Sequence, residues 1–522
     1  MHKTLSLSLG PDIALDESLF RQEIAAILNL PLDNQAIIRK TRQSIDARNR
    51  NVKVLVEVKV FIDETPPLLF EYQKDYPDVS KAKQAIIVGA GPAGMFAALR
   101  LIELGIKPIV LERGKDVRTR RRDLAAINKE HLVNPESNYC FGEGGAGTYS
   151  DGKLYTRSKK RGDIRRILEI FVAHGASENI LIEAHPHIGT NKLPQIVADI
   201  RQSILQAGGE FRFNTRVVDF VLQQHEIKGV ITAEGEEIIG IGVILATGHS
   251  ARDVFELCQQ KGIFIEAKSF AMGVRAEHQQ SLIDELQYHR TDRGLLPAAS
   301  YSLVAQTRFK GIERGVFSFC MCPGGFIVPA ATAPNELVVN GMSPSRRDSK
   351  FANSGIVVAI NEPDWKKYQS FGALAGLQFQ KEVEQKAFQA TGSQSVPTQR
   401  VLDFVQGKKS NELLATSYQP GLLSLEMGDV LPESLYYPLK DGFRQFGQKM
   451  KGYLTNKAQL VGVESRTSSP VRIPRERDSL EHVQIKRLFP CGEGAGYAGG
   501  IMSAAMDGER CAEQLVARYG AS

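Results

Sequence analysis

The sequence predicts a mixed α/β and α+β protein, in which a Rossmann-type dinucleotide-binding domain is interrupted by a second domain. A small α+β domain precedes both. Three observations predict this arrangement. A strand near residue 85 runs into a Gly-x-Gly-x-x-Gly turn and a helix, and a matching strand, Gly-rich loop and helix return only at 485–517. Residues 1–62 follow a β-α-β-β order of their own.

Composition narrows the class of protein. The chain has 522 residues, of which 42% are hydrophobic and 24% charged, and its net charge is +6. These values are ordinary for a globular protein, and the mild basic excess suits an anionic ligand. The sequence lacks the apolar run of about 18 residues that a membrane span needs. No secretion signal is evident, so we expect a cytoplasmic protein.

The N-terminal unit is predicted as a small α+β domain with a linker, at 1–80. Residues 52–61 largely alternate between apolar and polar types, which predicts a strand with one buried face. A helix is predicted at 17–28, with Asp16 as its N-cap. The β-α-β-β order is ferredoxin-like in outline. The unit is also basic; a solvated face is the favoured interpretation, so nucleic acid is not the expected partner, and RNA binding is the alternative.

The rest of the chain divides into three predicted parts. The first part of the nucleotide-binding domain covers 81–265, a substrate or cap domain covers 266–460, and the nucleotide-binding domain is completed by 461–522. The predicted strands of the cap domain are 270–276, 315–320, 325–329 and 336–340, and helical patterns follow at 363–391.

The strongest motif is the turn at 89–94. Gly89 permits a tight turn, Gly91 lets the backbone approach a pyrophosphate, and Gly94 lets the following helix pack on the strand. Pro92 and Ala93 complete the turn. The helix N-terminus would then direct free N–H groups and a positive dipole end towards the phosphates.

A second strand, at 107–111, ends at Glu112. A carboxylate there can accept the ribose hydroxyls of an adenosine, and Arg113 is a further predicted cofactor contact. An acidic residue at this position would repel the 2′-phosphate of NADP, so FAD or NAD is the predicted dinucleotide.

Two later segments extend the site. An apolar strand ends at Ala246, Thr247 and Gly248, and these small residues can pass beside the first Gly-rich turn. Upstream, Val217 is interpreted either as an adenine contact or as a core residue.

Near the C-terminus, Gly492 and Glu493 follow a strand, and the carboxylate can hold ribitol hydroxyls. Gly499, Gly500 and Ile501 begin a helix whose N-terminus would face the flavin pyrimidine edge. NAD would not need this element, so non-covalent FAD is the predicted cofactor.

A Gly-rich loop at 138–154 is interpreted as a flavin-wrapping loop, with a mobile surface loop as the alternative. Its predicted cofactor contacts are Gly144, Gly145, Gly147 and Thr148. Lys153 is a catalytic candidate, because it could supply positive charge to a flavin anion or substrate.

The basic run formed by Arg118, Arg120, Arg121 and Arg122 precedes this loop. We interpret it as a solvated helix face; the alternative is a basic rim near a cofactor phosphate.

Together these residues resemble a bacterial FAD-dependent dehydrogenase family, related distantly to glutathione-reductase-like and aminoacetone-oxidase-like proteins. The resemblance covers almost the whole chain. It rests on the motifs above and on the strings at 141–148, 246–253, 273–278, 318–325, 340–343 and 464–470. It implies FAD, a two-domain flavoprotein core and a small N-terminal domain. One departure is Glu493, where related proteins usually have Asp.

Candidates for the reactive face come from the predicted cap domain and the return strand. Arg275 and His278 lie close in sequence, and a histidine near a flavin can act as acid or base. A strand-end salt bridge with a surface histidine is the slightly favoured alternative. Arg466 lies in a polar loop that we place near the flavin.

Cys320 and Cys322 form a Cys-x-Cys pair. Flavin-linked dithiols normally have wider spacings, so buried small hydrophobes are the favoured interpretation over redox thiols. The six cysteines form neither a disulfide framework nor a zinc site, and no metal is expected.

The predicted activity is that of an FAD-dependent oxidoreductase, a dehydrogenase or reductase, which transfers hydride between FAD and a small-molecule substrate or NAD(P)H. The sequence has no second strand–Gly-x-Gly-x-x-Gly–helix unit, so NAD(P)H would be a transient reductant. A flavoprotein monooxygenase is one alternative, and a non-catalytic redox-sensing or partner-binding flavoprotein is another. A homo-oligomer is compatible with the sequence, which predicts no particular substrate.

Overall fold

The computed structural model describes residues 2–29, 36–156 and 162–521. Over these residues the chain forms a mixed α/β structure with several sheets. None of the helices in these ranges combines the length and the apolar character that crossing a bilayer requires.

The N-terminal unit is a three-stranded antiparallel sheet covered by helices. Its central strand buries the four valines of the predicted alternation, Val54, Val56, Val58 and Val60, against Phe20 and Ile24. Asp16 accepts a hydrogen bond from the N–H of Leu19 at 2.8 Å and caps the longer helix as predicted. The elements are β1 (His2–Leu9), α1 (Pro11–Ala14), α2 (Glu17–Leu28), β2 (Ile37–Asp46) and β3 (Lys53–Phe61).

The strand order of this sheet is β1-β3-β2, with both pairs antiparallel. A complete ferredoxin-like domain has a second helix and a fourth strand. The described residues of the unit provide only the β-α-β-β part of that pattern, so the predicted ferredoxin-like fold is reproduced in part.

The second unit contains the predicted nucleotide-binding strand, turn and helix. Its first segment comprises β4 (Gln84–Val88), α3 (Pro92–Glu103), β5 (Lys107–Leu111), α4 (Val117–Glu130), α5 (Ile164–Ala173), α6 (Leu193–Gln206), β6 (Glu210–Arg212), β7 (Val217–Gln223), β8 (Glu226–Thr232), β9 (Glu237–Ile239), β10 (Val243–Leu245) and α7 (Arg252–Gln260). Its C-terminal segment comprises β21 (Val471–Arg472), β22 (Leu488–Pro490) and α13 (Ile501–Tyr519).

A five-stranded sheet joins these two segments. Its order is β22-β10-β4-β5-β6, and all four pairs are parallel. The C-terminal strand β22 is therefore an edge strand of the sheet that β4 begins, which confirms that the intervening chain interrupts this domain. Because the strands are parallel, their carboxyl ends share one edge, and the Gly-rich turns follow at that edge.

The interrupting domain is built on a seven-stranded sheet with the order β13-β14-β17-β12-β20-β18-β19. Its elements are β11 (Glu266–Ala267), β12 (Phe270–Gln279), α8 (Gln280–Tyr288), β13 (Val304–Phe309), β14 (Ile312–Cys322), β15 (Phe326–Pro329), β16 (Val339–Met342), β17 (Phe351–Ile360), α9 (Ala375–Thr391), β18 (Val396–Arg400), α10 (Val401–Gln406), β19 (Leu422–Ser424), α11 (Met427–Val430), α12 (Glu433–Lys449) and β20 (Gln459–Glu464).

Two of these strands correct the sequence prediction. Strand β17 was missed, although it pairs with both β12 and β14 near the centre of the sheet. Its residues 352–358 are buried on both faces, so they show no alternation that a sequence pattern could detect. Strand β20 pairs with β12 and crosses the predicted boundary at 460, which places the end of this domain after Glu464.

Helices α3 and α13 pack closely enough to link the two halves of the nucleotide-binding domain. A Cβ on Gly508 of α13 would lie 2.0 Å from the carbonyl oxygen of Ala93. An ion cluster extends this contact, since Arg166 of α5 binds both Glu509 of α13 and Glu103 of α3, with Glu509 at 3.0 Å. Tyr72, in the predicted surface linker, donates to Glu103 at 2.9 Å. The linker is thus anchored to this domain.

We predict that E509Q flattens the pH dependence of stability. Burial raises the pKa of Glu509 to about 7, above its value in the unfolded chain. The folded state therefore retains a proton that the unfolded state releases, and the contribution of Glu509 to stability should fall by roughly 2–3 kcal/mol as the pH rises from about 4.5 to 7. Glutamine cannot ionise, so urea unfolding of E509Q across this window should show a smaller fall. Equal slopes for the two proteins would contradict the assignment.

Candidate cofactor site

The Gly-rich segments predicted from the sequence meet at the carboxyl edge of the five-stranded sheet. A Cβ on Gly89 would lie 2.7 Å from the carbonyl oxygen of Ala246, and one on Gly494 would lie 2.0 Å from that of Thr247. The Ala-Thr-Gly segment therefore passes between the first turn and the C-terminal loop. Gly89 and Gly494 must be glycine because a side chain at either position would collide with the backbone of this segment.

The Gly-rich loop at 138–154 packs onto the same turn. The N–H of Gly144 donates to the carbonyl of Ala90 at 2.8 Å, and a Cβ on Gly145 would lie 3.2 Å from the Cα of Gly91. One on Gly147 would contact Pro92 and Ile501, at 3.4 and 3.2 Å.

The same loop is closed by a threonine. Thr148 donates to the carbonyl of Glu143 at 2.9 Å. The loop therefore lies beside the starts of α3 and α13, and its predicted contact with the flavin stays a prediction.

Arg120 organises this loop and corrects the interpretation of the basic run. Arg118, Arg121 and Arg122 are exposed, whereas Arg120 is fully buried. Its guanidinium donates to the carbonyls of Asn138, Glu143 and Gly145, at 2.7, 2.9 and 3.1 Å. Periodicity could have suggested that one of the four arginines faces inward, but not that it would bind loop carbonyls.

Glu112 holds three backbone segments together. Its Oε2 accepts from the N–H of Ala90 at 2.9 Å, and its Oε1 accepts from Gly114 at 2.9 Å and Gly142 at 3.0 Å. A carboxylate offers about four acceptor positions, so roughly one is left for a ribose hydroxyl. The ribose contact of Glu112 stays a prediction, with room for about one hydrogen bond, and in the structure this carboxylate fixes the backbone of the first turn and of the Gly-rich loop.

The two further adenosine-side candidates differ in their surroundings. Val217 begins β7 and is buried in the core that includes Ile86 and Val88. Arg113 is engaged by the carboxylates of Glu136 and Asp253, at 2.8 and 2.9 Å. Its contacts are therefore structural ones that fix the strand end beside Glu112.

The site passes a steric test for FAD. A Cβ on Gly91, Gly248, Gly499 or Gly500 would meet no atom within 4 Å, whereas Gly89, Gly94 and Gly494 would collide with backbone. The four open glycines belong to the three segments that converge at this edge. Two long helices, α3 and α13, also begin here, each with glycine as its N-cap. Open backbone next to two helix N-termini suits a dinucleotide with a pyrophosphate.

The C-terminal loop is preorganised around Glu493. This side chain accepts a hydrogen bond from the N–H of Gly500, at the start of α13. Its other oxygen lies 3.6 Å from Nε2 of His249, which follows the Ala-Thr-Gly segment directly. Gly492 donates to Asp507 at 2.9 Å. Glu493 thus connects two cofactor segments, and His249 is a site residue that the sequence analysis did not select.

Lys153 lies at the boundary with the interrupting domain. Its Nζ lies 3.0 Å from Oδ2 of Asp151 and donates to the carbonyl of Met321. Asp151 also binds Arg347, at 2.6 Å. Burial lowers the pKa of Lys153, but the negative charges near it, from Cys320 and Asp151, outweigh burial and leave the pKa raised. Lys153 is therefore a fixed cation beside residues 320–322.

The structure gives His278 and Arg275 different roles from those considered. His278 is buried, its Nε2 contacts the carbonyl of Tyr453 at 3.0 Å, and burial lowers its pKa to about 4. Its ring packs on that tyrosine, and a neutral imidazole in this core is unsuited to acid–base catalysis at neutral pH. Arg275 is also fully buried and forms a bidentate ion pair with Glu464, at 2.7 and 3.0 Å. Neither residue is a surface strand-end group.

Arg466 belongs to a buried ionic cluster that joins the two large domains. It binds Glu384 and Glu336, each at 2.9 Å, and donates to Thr332. Arg252 of the nucleotide-binding domain binds the same two carboxylates, at 2.8 and 2.9 Å. The predicted catalytic role is replaced by a structural one, because both ends of the Arg466 guanidinium are taken by these partners.

The comparisons with known proteins agree with this geometry. A family model described as "FAD-dependent protein, C-terminal domain-like" matches residues 269–467, and one described as "FAD binding domain" matches residues 82–129. A domain of unknown function matches residues 1–61. The fold and the site therefore define a flavoprotein, and FAD is its cofactor.

An uncharacterised protein of Clostridium beijerinckii is 38% identical over 534 aligned residues, which cover 99% of this chain and 98% of that protein. The chain belongs to the same family, a family of FAD-dependent proteins.

Solved structures that match this chain include the halogenase PltM in complex with FAD, which is 12% identical, with a TM-score of 0.40, over 84% of this chain and 70% of that one. CtdE in complex with FAD and a substrate is 14% identical, with a TM-score of 0.31, over 83% and 81%. The tetracycline destructase Tet(51) is 12% identical, with a TM-score of 0.31, over 84% and 83%.

We predict that G91A binds FAD at least about tenfold more weakly while the apoprotein keeps its stability. The backbone at Gly91 has φ −75°, which alanine tolerates, and the added methyl group would enter the open side of the turn. G315A is the matched control, since its methyl group also meets no atom but lies in β14. Fluorescence titration with FAD measures the effect; equal affinity in G91A and G315A would contradict this placement of the cofactor.

We predict that R466M destabilises the protein by about 3–5 kcal/mol, because it leaves two buried carboxylates with Arg252 as their remaining arginine partner. R308M, which breaks the exposed Arg308–Glu313 pair of the same 2.9 Å length, should change stability by less than about 1 kcal/mol. Urea unfolding compares them. Similar losses of unfolding free energy in the two variants would show that the buried cluster stabilises the protein no more than an exposed ion pair does.

Proposed function

We propose that this protein is an FAD-dependent oxidoreductase of the dehydrogenase or reductase type. In this proposal hydride passes between non-covalent FAD and a small organic substrate or NAD(P)H. The observation that carries the proposal is the set of open glycines at Gly91, Gly248, Gly499 and Gly500, which line one edge beside two helix N-termini. Bound there, FAD supplies an acceptor for two electrons and a proton.

The residues of the chain have distinct tasks in this proposal. The start of α3 would hold the pyrophosphate, and Glu112 would offer its remaining acceptor position to the ribose. Gly499 and Gly500 would allow the start of α13 to approach the flavin, where the helix dipole would favour negative charge. Glu493 and His249 tie these segments together, which keeps the edge in place during turnover.

The interrupting domain supports a closed site for a small substrate. The buried cluster of Arg252, Arg466, Glu336 and Glu384 fixes this domain against the nucleotide-binding domain. Lys153, on the cofactor side, reaches the carbonyl of Met321 on the other side. A substrate held between the two domains is shielded from water, which favours hydride transfer over side reactions.

The first test is the absorbance spectrum of the purified full-length protein, before and after reconstitution with FAD, followed by anaerobic addition of NADH and then NADPH. We expect a flavin spectrum in the wild type, and we expect G91A to contain less bound flavin than the wild type. Rapid bleaching by either nucleotide identifies it as the reductant. Bleaching only by a small organic donor identifies substrate-derived hydride. A protein that takes up no flavin after reconstitution would overturn the proposal.

Oxygen separates this activity from a monooxygenase. In air, a dehydrogenase or reductase should show no substrate-stimulated oxygen uptake that ends in a hydroxylated product. Substrate-dependent NAD(P)H consumption coupled to such a product would assign the protein to the monooxygenases instead. A flavin that is bound and reduced by no donor in the panel would favour a non-catalytic flavoprotein.

A further inference from the structure

We infer that Cys320 and Cys322 form a redox-active dithiol that exchanges with small-molecule disulfides, in contact with Lys153 of the cofactor loop. This inference rests on the proposed function, because reduced FAD is the source of electrons that would restore the dithiol. It replaces the interpretation of the two cysteines as inert small hydrophobes.

The backbone departs from a regular strand between the two cysteines. In a regular strand, alternate Cα atoms lie about 6.6 Å apart, close to the upper limit for a disulfide. Strand β14 departs from regular pairing between Phe319 and Cys322, which lie opposite Gly355 and Asn353 and thus leave one extra residue on β14. Cys320 itself has φ +44°, in the left-handed region that non-glycine residues seldom adopt. In this bulge the Cys322 thiol donates a hydrogen bond to the carbonyl oxygen of Cys320 at 3.3 Å.

Cations surround the same three residues. Lys153 donates to the carbonyl of Met321, and Nη1 of Arg275 lies 3.4 Å from the carbonyl oxygen of Cys320. Arg275 is held in place by Glu464, and Lys153 by Asp151. The ion pairs therefore fix two positive groups on the backbone carbonyls of Cys320 and Met321, and both charges favour a thiolate at Cys320. A thiolate next to fixed cations is the usual microenvironment of a reactive cysteine.

The two thiols are unequal. The hydrogen bond from Cys322, followed by the charges of Lys153 and Arg275, lowers the pKa of Cys320 to about 5, against the effects of burial and of Asp151. The pKa of Cys322 is raised, first by its hydrogen bond to Cys320 and then by burial. Cys320 is partly exposed and Cys322 is buried. This is the asymmetry of an attacking and a resolving cysteine, and the limited exposure favours a small disulfide over a folded protein partner.

The exchange balances without a further reagent. The Cys320 thiolate attacks a disulfide R–S–S–R′, forms a mixed disulfide with R–S and releases R′–S⁻. The Cys322 thiol transfers its proton to that leaving group and attacks the Cys320 sulfur, which closes the Cys320–Cys322 disulfide and releases R–S⁻. Two electrons have then moved from the protein to the substrate. With FAD bound and reduced at the cofactor site, two electrons and one proton would pass to the Cys320–Cys322 disulfide and regenerate the Cys320 thiolate and the Cys322 thiol.

The test uses 5,5′-dithiobis(2-nitrobenzoate) as the disulfide probe, with prereduced full-length protein at about pH 6, where ordinary thiols react slowly. Wild type should rapidly release two equivalents of thionitrobenzoate, one at attack and one at resolution. The tryptic peptide 315–346, which contains both cysteines, should become two hydrogen atoms lighter. C322S should release one equivalent and keep a mixed disulfide on Cys320. C320S should lose the fast phase. K153M removes the positive charge of Lys153, so the fast release of thionitrobenzoate should slow by about tenfold or more.

Controls separate this inference from folding defects and from the proposed function. C258A removes a buried cysteine of α7, whose pKa burial raises to about 12, and should behave as wild type. Flavin content is measured for every variant. A protein that binds no FAD would overturn the proposed function, whereas the release of thionitrobenzoate would still test the reactivity of the two thiols. Should C322S fail to fold, the wild-type stoichiometry and the peptide mass decide. A wild type without a fast phase, or with one equivalent and a stable adduct, would overturn the inference.

Discussion

The carboxylate of Glu112 is the interaction on which the cofactor edge depends. It accepts three backbone N–H groups, from Ala90 in the first turn, from Gly114 and from Gly142 in the second Gly-rich loop. These groups lie far apart in sequence, and one buried carboxylate satisfies all three. Whereas Glu112 accepts from backbone N–H groups, Arg120 donates to three backbone carbonyls of the same Gly-rich loop. Together the two side chains shape backbone that has no regular secondary structure of its own.

A second constraint is the ionic cluster that joins the interrupting domain to the nucleotide-binding domain. Arg252 begins α7 directly after the Ala-Thr-Gly segment, and Arg466 follows β20. Both reach Glu336 and Glu384, so the position of the interrupting domain is set close to the cofactor edge. Residues considered for catalysis, such as Arg466 and Arg275, therefore serve to place other groups. Where the domains meet, Arg275 contacts the carbonyl of Cys320 and Lys153, held by Asp151, donates to the carbonyl of Met321.

Carboxylates and cations have different effects where the two domains meet. Asp151 and Glu464 hold Lys153 and Arg275 in place, while these cations in turn favour a thiolate at Cys320. His278, only three residues from Arg275, lies in an apolar core and stays neutral. Sequence proximity therefore says little about chemistry in this sheet, because successive side chains of β12 point to opposite faces. The functional distinction between these neighbours follows from which face each one occupies.

The sequence by itself determined the nucleotide-binding strand, turn and helix, the return of the chain at the C-terminus, and FAD as the cofactor. Gly89 and Gly94 could be recognised because close backbone contacts admit no other residue, and such local requirements leave a local pattern. The tertiary structure alone decided the roles of Arg120, Arg275, Arg466 and the cysteine pair. Their partners come from distant segments, and strand β17, buried on both faces, carries no periodic signal. Long-range pairing in a buried sheet is set by the packing of the whole domain, which no short stretch of sequence encodes.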